Sequence, residues 1–152
     1  MKNIIICDID GTLCTDEHRN HHLQKEPRDW DTYFSLCHLD SPVEAAIKLL
    51  RCMKWNGRDF VDAPYEIHLM TARTDTTRAQ TLDWLKRHNV PYDSITFRPA
   101  DSRVQDNILK TLWADKFGGP SRVLFVLEDR QRVVDAWRSA GYTCFQVAPG
   151  NF

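Results

Sequence analysis

Residues 2–12 read Lys-Asn-Ile-Ile-Ile-Cys-Asp-Ile-Asp-Gly-Thr. The run from Ile4 to Cys7 is apolar at every position and begins with three β-branched residues, which is the pattern of a strand buried on both faces. Such a strand belongs to a parallel sheet covered by helices on each side, and this one stops abruptly at Asp8. Residues 66–70 (Glu-Ile-His-Leu-Met) and 122–127 (Arg-Val-Leu-Phe-Val-Leu) repeat the short apolar run followed by polar residues. Residues 142–147 supply another candidate strand, and residues 94–97 a weaker one that makes five in all.

Helical spacing fills the intervals: Val43, Ala46, Ile47, Leu50 and Met53; Ala79, Leu82, Leu85 and Lys86; Val104, Ile108, Leu109 and Leu112; Val133, Val134 and Trp137. Strands alternating with helices predict an α/β fold, a parallel sheet of about five strands with right-handed crossovers. Ser41-Pro42 has the cap-then-proline order of a helix start, and Gly57 and Gly141 stand where helix-ending glycines are expected. Trp55, Trp84, Trp113 and Trp137 fall in or beside helical segments and are expected in the core.

One segment breaks the pattern. Residues 15–40 are polar, rich in histidine and without a sustained period, too long for a simple loop and too short for a second domain. They are expected to form a small flap or cap over the site. His18, His21 and His22 read either as metal ligands or as a solvated polar loop, and Trp30, Tyr33 and Phe34 either as a base-stacking surface or as the flap's anchor.

The bulk properties describe an ordinary globular domain spanning residues 1–152, able to bury roughly two-thirds of its unfolded surface. Charged residues make up 27% and hydrophobic residues 42%, which excludes a disordered chain. With 20 Lys+Arg against 21 Asp+Glu the net charge is −1, arguing against a large non-specific nucleic-acid footprint but not against a local basic cleft. Five cysteines without a CxxC spacing are expected as reduced thiols in a cytoplasmic setting, and no apolar run approaches a signal peptide or membrane span.

In an open parallel sheet, ligands bind beyond the carboxyl ends of the strands. Asp8, Asp10, Gly11 and Thr12 follow the first strand, Thr71 and Arg73 the second, and Glu128, Asp129 and Arg130 the fourth, with Lys110 in the helical stretch before it. Carboxylates gathered at one point repel unless a cation sits among them, and hard oxygen ligands without a Cys or His pattern favour Mg2+. Asp8 and Asp10 then divide attack on phosphorus from proton transfer. Gly11 permits a tight turn, Thr12 offers a hydroxyl and an amide to phosphate, and Thr71 and Lys110 neutralise the same group. Lys116 is the competitor for the lysine role.

The segment Ile4 to Thr12, with Leu69-Met70-Thr71, Lys110 and the pair Glu128-Asp129, resembles the four motifs of the haloacid dehalogenase (HAD) superfamily. The C-terminal stretch from Glu128 onward, Thr71-Ala72-Arg73 and the segment from Asp106 to Lys110 resemble, more narrowly, the 3′-phosphatase domain of bacteriophage polynucleotide kinase. The resemblance spans nearly the whole chain, is weakest over residues 15–40, and includes no kinase phosphate-binding loop.

It implies a Rossmann-like HAD fold and a magnesium-dependent phosphomonoesterase acting on polynucleotide 3′-phosphates through an aspartyl-phosphate. Asp8 would be the nucleophile and Asp10 the general acid and base, with phosphate contacts at Thr71 and Lys110. Arg73 and Arg130 would contact substrate, with Asp106 in support. Asp8, the Asp10 carbonyl and the acidic pair would bind metal. Glu128 departs from the usual aspartate and leaves two candidates for the direct metal ligand, Asp129 being favoured. The resemblance also implies a functional link to a polynucleotide kinase or ligase and a phage or bacterial gene. A nucleoside monophosphatase and a non-catalytic nucleic-acid-binding module remain the alternative readings.

Overall fold

The computed structural model describes residues 3–55 and 65–150; Gly57 and the outermost residues of the quoted motifs, Lys2, Asn151 and Phe152, lie outside them. The sheet is built from β1 (Ile4–Cys7), β4 (Glu66–Thr74), β5 (Ser94–Arg98), β6 (Val123–Arg130) and β7 (Cys144–Gly150). Its order is β5-β4-β1-β6-β7, with every pairing parallel. A separate antiparallel pair joins β2 (Cys14–Thr15) to β3 (Ser41–Pro42).

The alternation along β1 explains the layering. Ile5 and Cys7 face one core, shared with Ala46, Ile47 and Leu50 of α2 (Glu44–Trp55) and Trp84 and Leu85 of α3 (Arg78–Arg87). Ile4 and Ile6 face the other, shared with Ala114 of α4 (Asp106–Asp115) and Val133, Val134 and Trp137 of α5 (Gln131–Ser139). The central strand, covered on both sides, is therefore the most apolar, as the sequence pattern required.

Four details differ from the sequence reading. Ser41-Pro42 forms β3, closing residues 15–40 against β2, and helix α2 begins only at Glu44. The last strand starts at Cys144, because Tyr142 instead packs edge-on against Trp137 and donates to Asp115. Val104 precedes α4 and is exposed. Trp84 and Trp137 are buried, whereas Trp55 is 46% exposed at the end of α2 and Trp113 only packs at the rim of the second core. None of the five cysteines forms a disulfide, and all but Cys52 are buried. No helix among the described residues is long and apolar enough to cross a membrane.

His68 of β4 shows how the sheet buries a titratable group. Its ring lies between Ser94 Oγ and Thr96 Oγ1 of β5 and against Phe117, and burial pushes its pKa down to about 4. The unfolded chain, with His near 6.5, takes up this proton first, so the folded state loses stability as pH falls from about 6.5 towards 4. We expect this residue to account for about 2 kcal/mol of the stability lost between pH 7 and pH 5. Urea unfolding of His68→Gln at the two pH values should show that part of the difference gone.

Candidate active site

Strands β4 and β6 run past β1 at its carboxyl end, with register shifts against their outer neighbours β5 and β7 between Thr71 and Thr74 and between Glu128 and Arg130. Thr71, Arg73, Glu128 and Asp129 thus sit inside strands rather than after them. Beyond Asp8 the chain turns tightly: the amides of Thr12, Leu13 and Cys14 all donate to the Ile9 carbonyl, and that of Gly11 to the Cys14 carbonyl. Gly11 has φ +82°, and a Cβ there would lie 2.1 Å from Asp129 Oδ2. Only glycine lets β1's turn pass this close to the acidic pair.

Lys110 reaches in from α4, with Nζ 2.7 Å from Asp8 Oδ1 and 2.7 Å from Glu128 Oε2. Lys116, the other candidate, lies exposed beyond the helix end. Glu128 uses its second oxygen, Oε1, to accept from the amides of Asp129 and Arg130, each at 3.3 Å. Thr12 is buried with its hydroxyl 3.5 Å from Asp129 Oδ1, and Thr71 is fully buried, accepting from the Arg73 amide.

Oxygens of Asp8, Glu128 and Asp129 all lie within 4.8 Å of one another, and all three residues are buried. Burial and then Glu128 push Asp8 well above the usual carboxylate range despite Lys110, and the same two causes push Asp129 up to about 7. One ammonium among three buried carboxylates leaves negative charge uncompensated. A hard divalent cation suits that donor set, and the residues fit it.

Asp10 is held quite differently. Arg73 Nη2 lies 2.8 Å and Arg19 Nη2 2.5 Å from Asp10 Oδ1, with Arg73 Nε 3.0 Å from Oδ2. Both guanidiniums also bind Asp40, Arg19 through Nε (2.7 Å) and Nη2 (2.6 Å) and Arg73 through Nη2 (2.7 Å). Burial alone would raise the Asp10 pKa, but Arg73 and Arg19 outweigh it and hold the carboxyl well below the usual range. Asp10, Cys14 and Asp40 also cluster closely enough to suggest a metal, yet these two guanidiniums already supply the positive charge.

Arg73, expected as a substrate contact, has a side chain that is 0% exposed, and its third nitrogen donates to Thr81 Oγ1, so in this structure its guanidinium is spent on Asp10, Asp40 and Thr81. Asp106 is likewise buried and accepts from Arg130 Nη1 (2.5 Å) and Arg132 Nη2 (2.7 Å), so it holds both arginines in place. Burial would raise the Asp106 pKa, but Arg130, Lys110 and Arg132 hold it below its ordinary value. Arg130 remains partly exposed at the rim.

Arg19 and Asp40 were missed by the sequence reading. Both come from residues 15–40, which wrap as a 3-10 turn (Glu17–Gln24), a short helix α1 (Trp30–Ser35) and a second 3-10 turn (Cys37–Leu39). Tyr33 anchors this segment: it is buried, its hydroxyl donates to Asp16, and Arg19 stacks on its ring at 4.1 Å. Trp30 is exposed and stacked on Phe34. His18 pairs with Asp40, and among the described residues no metal-capable group includes His18, His21 or His22.

Residues 2–152 match the family described as "Polynucleotide kinase PNKP phosphatase domain". No curated protein sequence matches the chain. Two solved structures of a Pnkp1/Rnl/Hen1 complex, one described as an RNA repair complex, each contain a chain 27% identical to this one. Both have a TM-score of 0.80 over 100% of this chain, which spans only 44% and 48% of theirs. The D,D-heptose 1.7-bisphosphate phosphatase from B. bronchiseptica, complexed with magnesium and phosphate, is 15% identical with a TM-score of 0.60, covering 96% of this chain and 80% of its own. The haloacid dehalogenase-like protein SP0104 from Streptococcus pneumoniae is 13% identical with a TM-score of 0.64, over 95% and 84%. At those identities the last two likenesses speak for the fold alone.

Proposed function

We propose, from the premise that this chain belongs to the polynucleotide kinase PNKP phosphatase domain family and is a HAD-type phosphatase, that it removes 3′-phosphates from polynucleotide ends. The carrying observation is the Lys110 ammonium held between Asp8 and Glu128 at the carboxyl end of the sheet, a charge placed for a phosphate arriving at Asp8. The RNA repair complex that contains the 27% identical chain favours a nucleic-acid end as substrate.

In this reading Asp8 attacks phosphorus in line, the bond from phosphorus to the ester oxygen breaks, and Asp10 protonates the departing oxygen to give the 3′-hydroxyl. Water then attacks the aspartyl-phosphate, Asp10 takes its proton, and phosphate leaves with Asp8 restored. Arg19 and Arg73 keep Asp10 a carboxylate, which suits the second step; serving in the first requires it to take up a proton as substrate binds. Lys110 and Thr71 orient the phosphate, with the Thr12 amide and hydroxyl beside them. Asp8, Asp129 and the Asp10 carbonyl would hold Mg2+, with Glu128 positioning Lys110 and the turn behind it. The ion would reduce the repulsion between carboxylate and phosphate.

Phosphate release from a 3′-phosphorylated oligonucleotide should stop in EDTA and return with Mg2+. It should exceed release from 3′- and 5′-mononucleotides by about tenfold or more in kcat/KM, the worth of one further charge-assisted phosphate contact. Equal rates on oligonucleotide and mononucleotide would assign the chain to the nucleoside monophosphatases, with residues 15–40 setting substrate size. Release unaffected by chelation would remove the metal from the reading.

A further inference from the structure

Asp106 opens α4, is 4% exposed, and accepts one hydrogen bond from each of two arginines that flank Gln131 where β6 runs into α5, Arg130 and Arg132. The two do not occupy equivalent places. Arg130 directly follows the acidic pair and feels the charges of Asp8, Glu128 and Asp129 as well as Asp106, so its charge is engaged on the catalytic side. Arg132 lies one step out, in the first turn of α5, with its side chain 50% exposed and its guanidinium tethered through Nη2. With Arg130 engaged on the catalytic side, the outer guanidinium is half exposed while one of its nitrogens is held by a buried carboxylate. An arginine on a flexible stem pays in rotamer entropy when it binds phosphate; one already fixed by a buried carboxylate has lost most of that freedom beforehand.

We propose that Arg132 is a specificity-determining residue that binds the first internal phosphodiester of a polynucleotide, next to the 3′-terminal phosphate at Asp8. The inference rests on the polynucleotide reading above and adds to it a named contact for the part of the substrate a mononucleotide lacks. Asp106 serves as a shared bracket. It fixes Arg130 beside the reacting phosphate and Arg132 beside the next one, so that chain length is read by one residue.

The test compares wild type, Arg132→Gln and Arg132→Lys on a 3′-mononucleotide, a 3′-phosphorylated dinucleotide and a longer 3′-phosphorylated oligonucleotide across a salt series. Arg132→Gln should lower the oligonucleotide-to-mononucleotide ratio of kcat/KM by about tenfold, mainly through KM, with the effect already present at the dinucleotide. The salt dependence of oligonucleotide binding should become shallower by about 0.7 in log–log slope, the value for one single-strand phosphate contact. Arg132→Lys, which keeps the charge, should recover part of the ratio. Equal losses on all three substrates would overturn the proposal and make Arg132 only a brace for Asp106; an unchanged ratio and slope would overturn it outright. A wild type with no preference for the oligonucleotide would remove the polynucleotide reading as well, whereas a preference that survives in Arg132→Gln removes this inference alone.

Discussion

Asp8→Asn is expected to lower phosphate release by about four orders of magnitude or more, the scale of deleting a catalytic nucleophile, without unfolding the protein. The amide keeps the shape of the side chain and loses the attacking oxygen. It also removes one of three buried carboxylates that burial and Glu128 already push towards protonation, while Lys110 keeps Glu128 as its partner. Thermal melting in EDTA should therefore show a Tm no lower than wild type. Activity above about a hundredth of wild type would deny Asp8 its role. A lost fold would instead mean that the Asp8–Lys110 pair outweighs the repulsion among the carboxylates.

The second large effect is structural. Arg73→Met should destabilise the protein by about 3–5 kcal/mol, the cost of removing one partner from a buried ionic group, and lower Tm by about 10–20 °C. Arg19 and Arg73 balance Asp10 and Asp40 charge for charge in a region with no solvent access to either guanidinium. Without Arg73, Asp40 and Asp10 share the single guanidinium of Arg19, with the His18 ring on Asp40. The double variant Arg73→Met/Asp40→Leu should lose less than the sum of the two single losses, which a double-mutant cycle of unfolding free energies measures. If Arg73 were chiefly a substrate contact, Arg73→Met would raise KM and leave unfolding unchanged.

The half of the candidate site around Asp8 was legible because its residues follow strands that announce themselves. Asp8 ends an unbroken apolar run, Thr71 and Glu128 follow similar runs, and the meeting of strand ends is a property of parallel sheets. The supporting half was not. Arg19 and Asp40 lie 9 and 30 residues beyond Asp10 in a stretch without period, and their only signal was the presence of unlike charges around a tyrosine. Ser41-Pro42 has the local chemistry of a helix start, but pairing with Cys14 and Thr15 captured it as a strand. The burial of Arg73 was not legible for a related reason: from sequence an arginine next to a site looks outward, whereas here its guanidinium packs on Asp10 and Asp40. Tertiary contacts over long separations decided each of these cases, and local pattern does not carry them.

Covalent catalysis by Asp8 is the claim on which the rest depends, and the stereochemical course at phosphorus tests it most directly. Hydrolysis of a 3′-thiophosphate ester made chiral with oxygen isotopes should proceed with overall retention, since two in-line displacements, by Asp8 and then by water, each invert the centre. Inversion would show a single displacement by water and would contradict an aspartyl-phosphate intermediate.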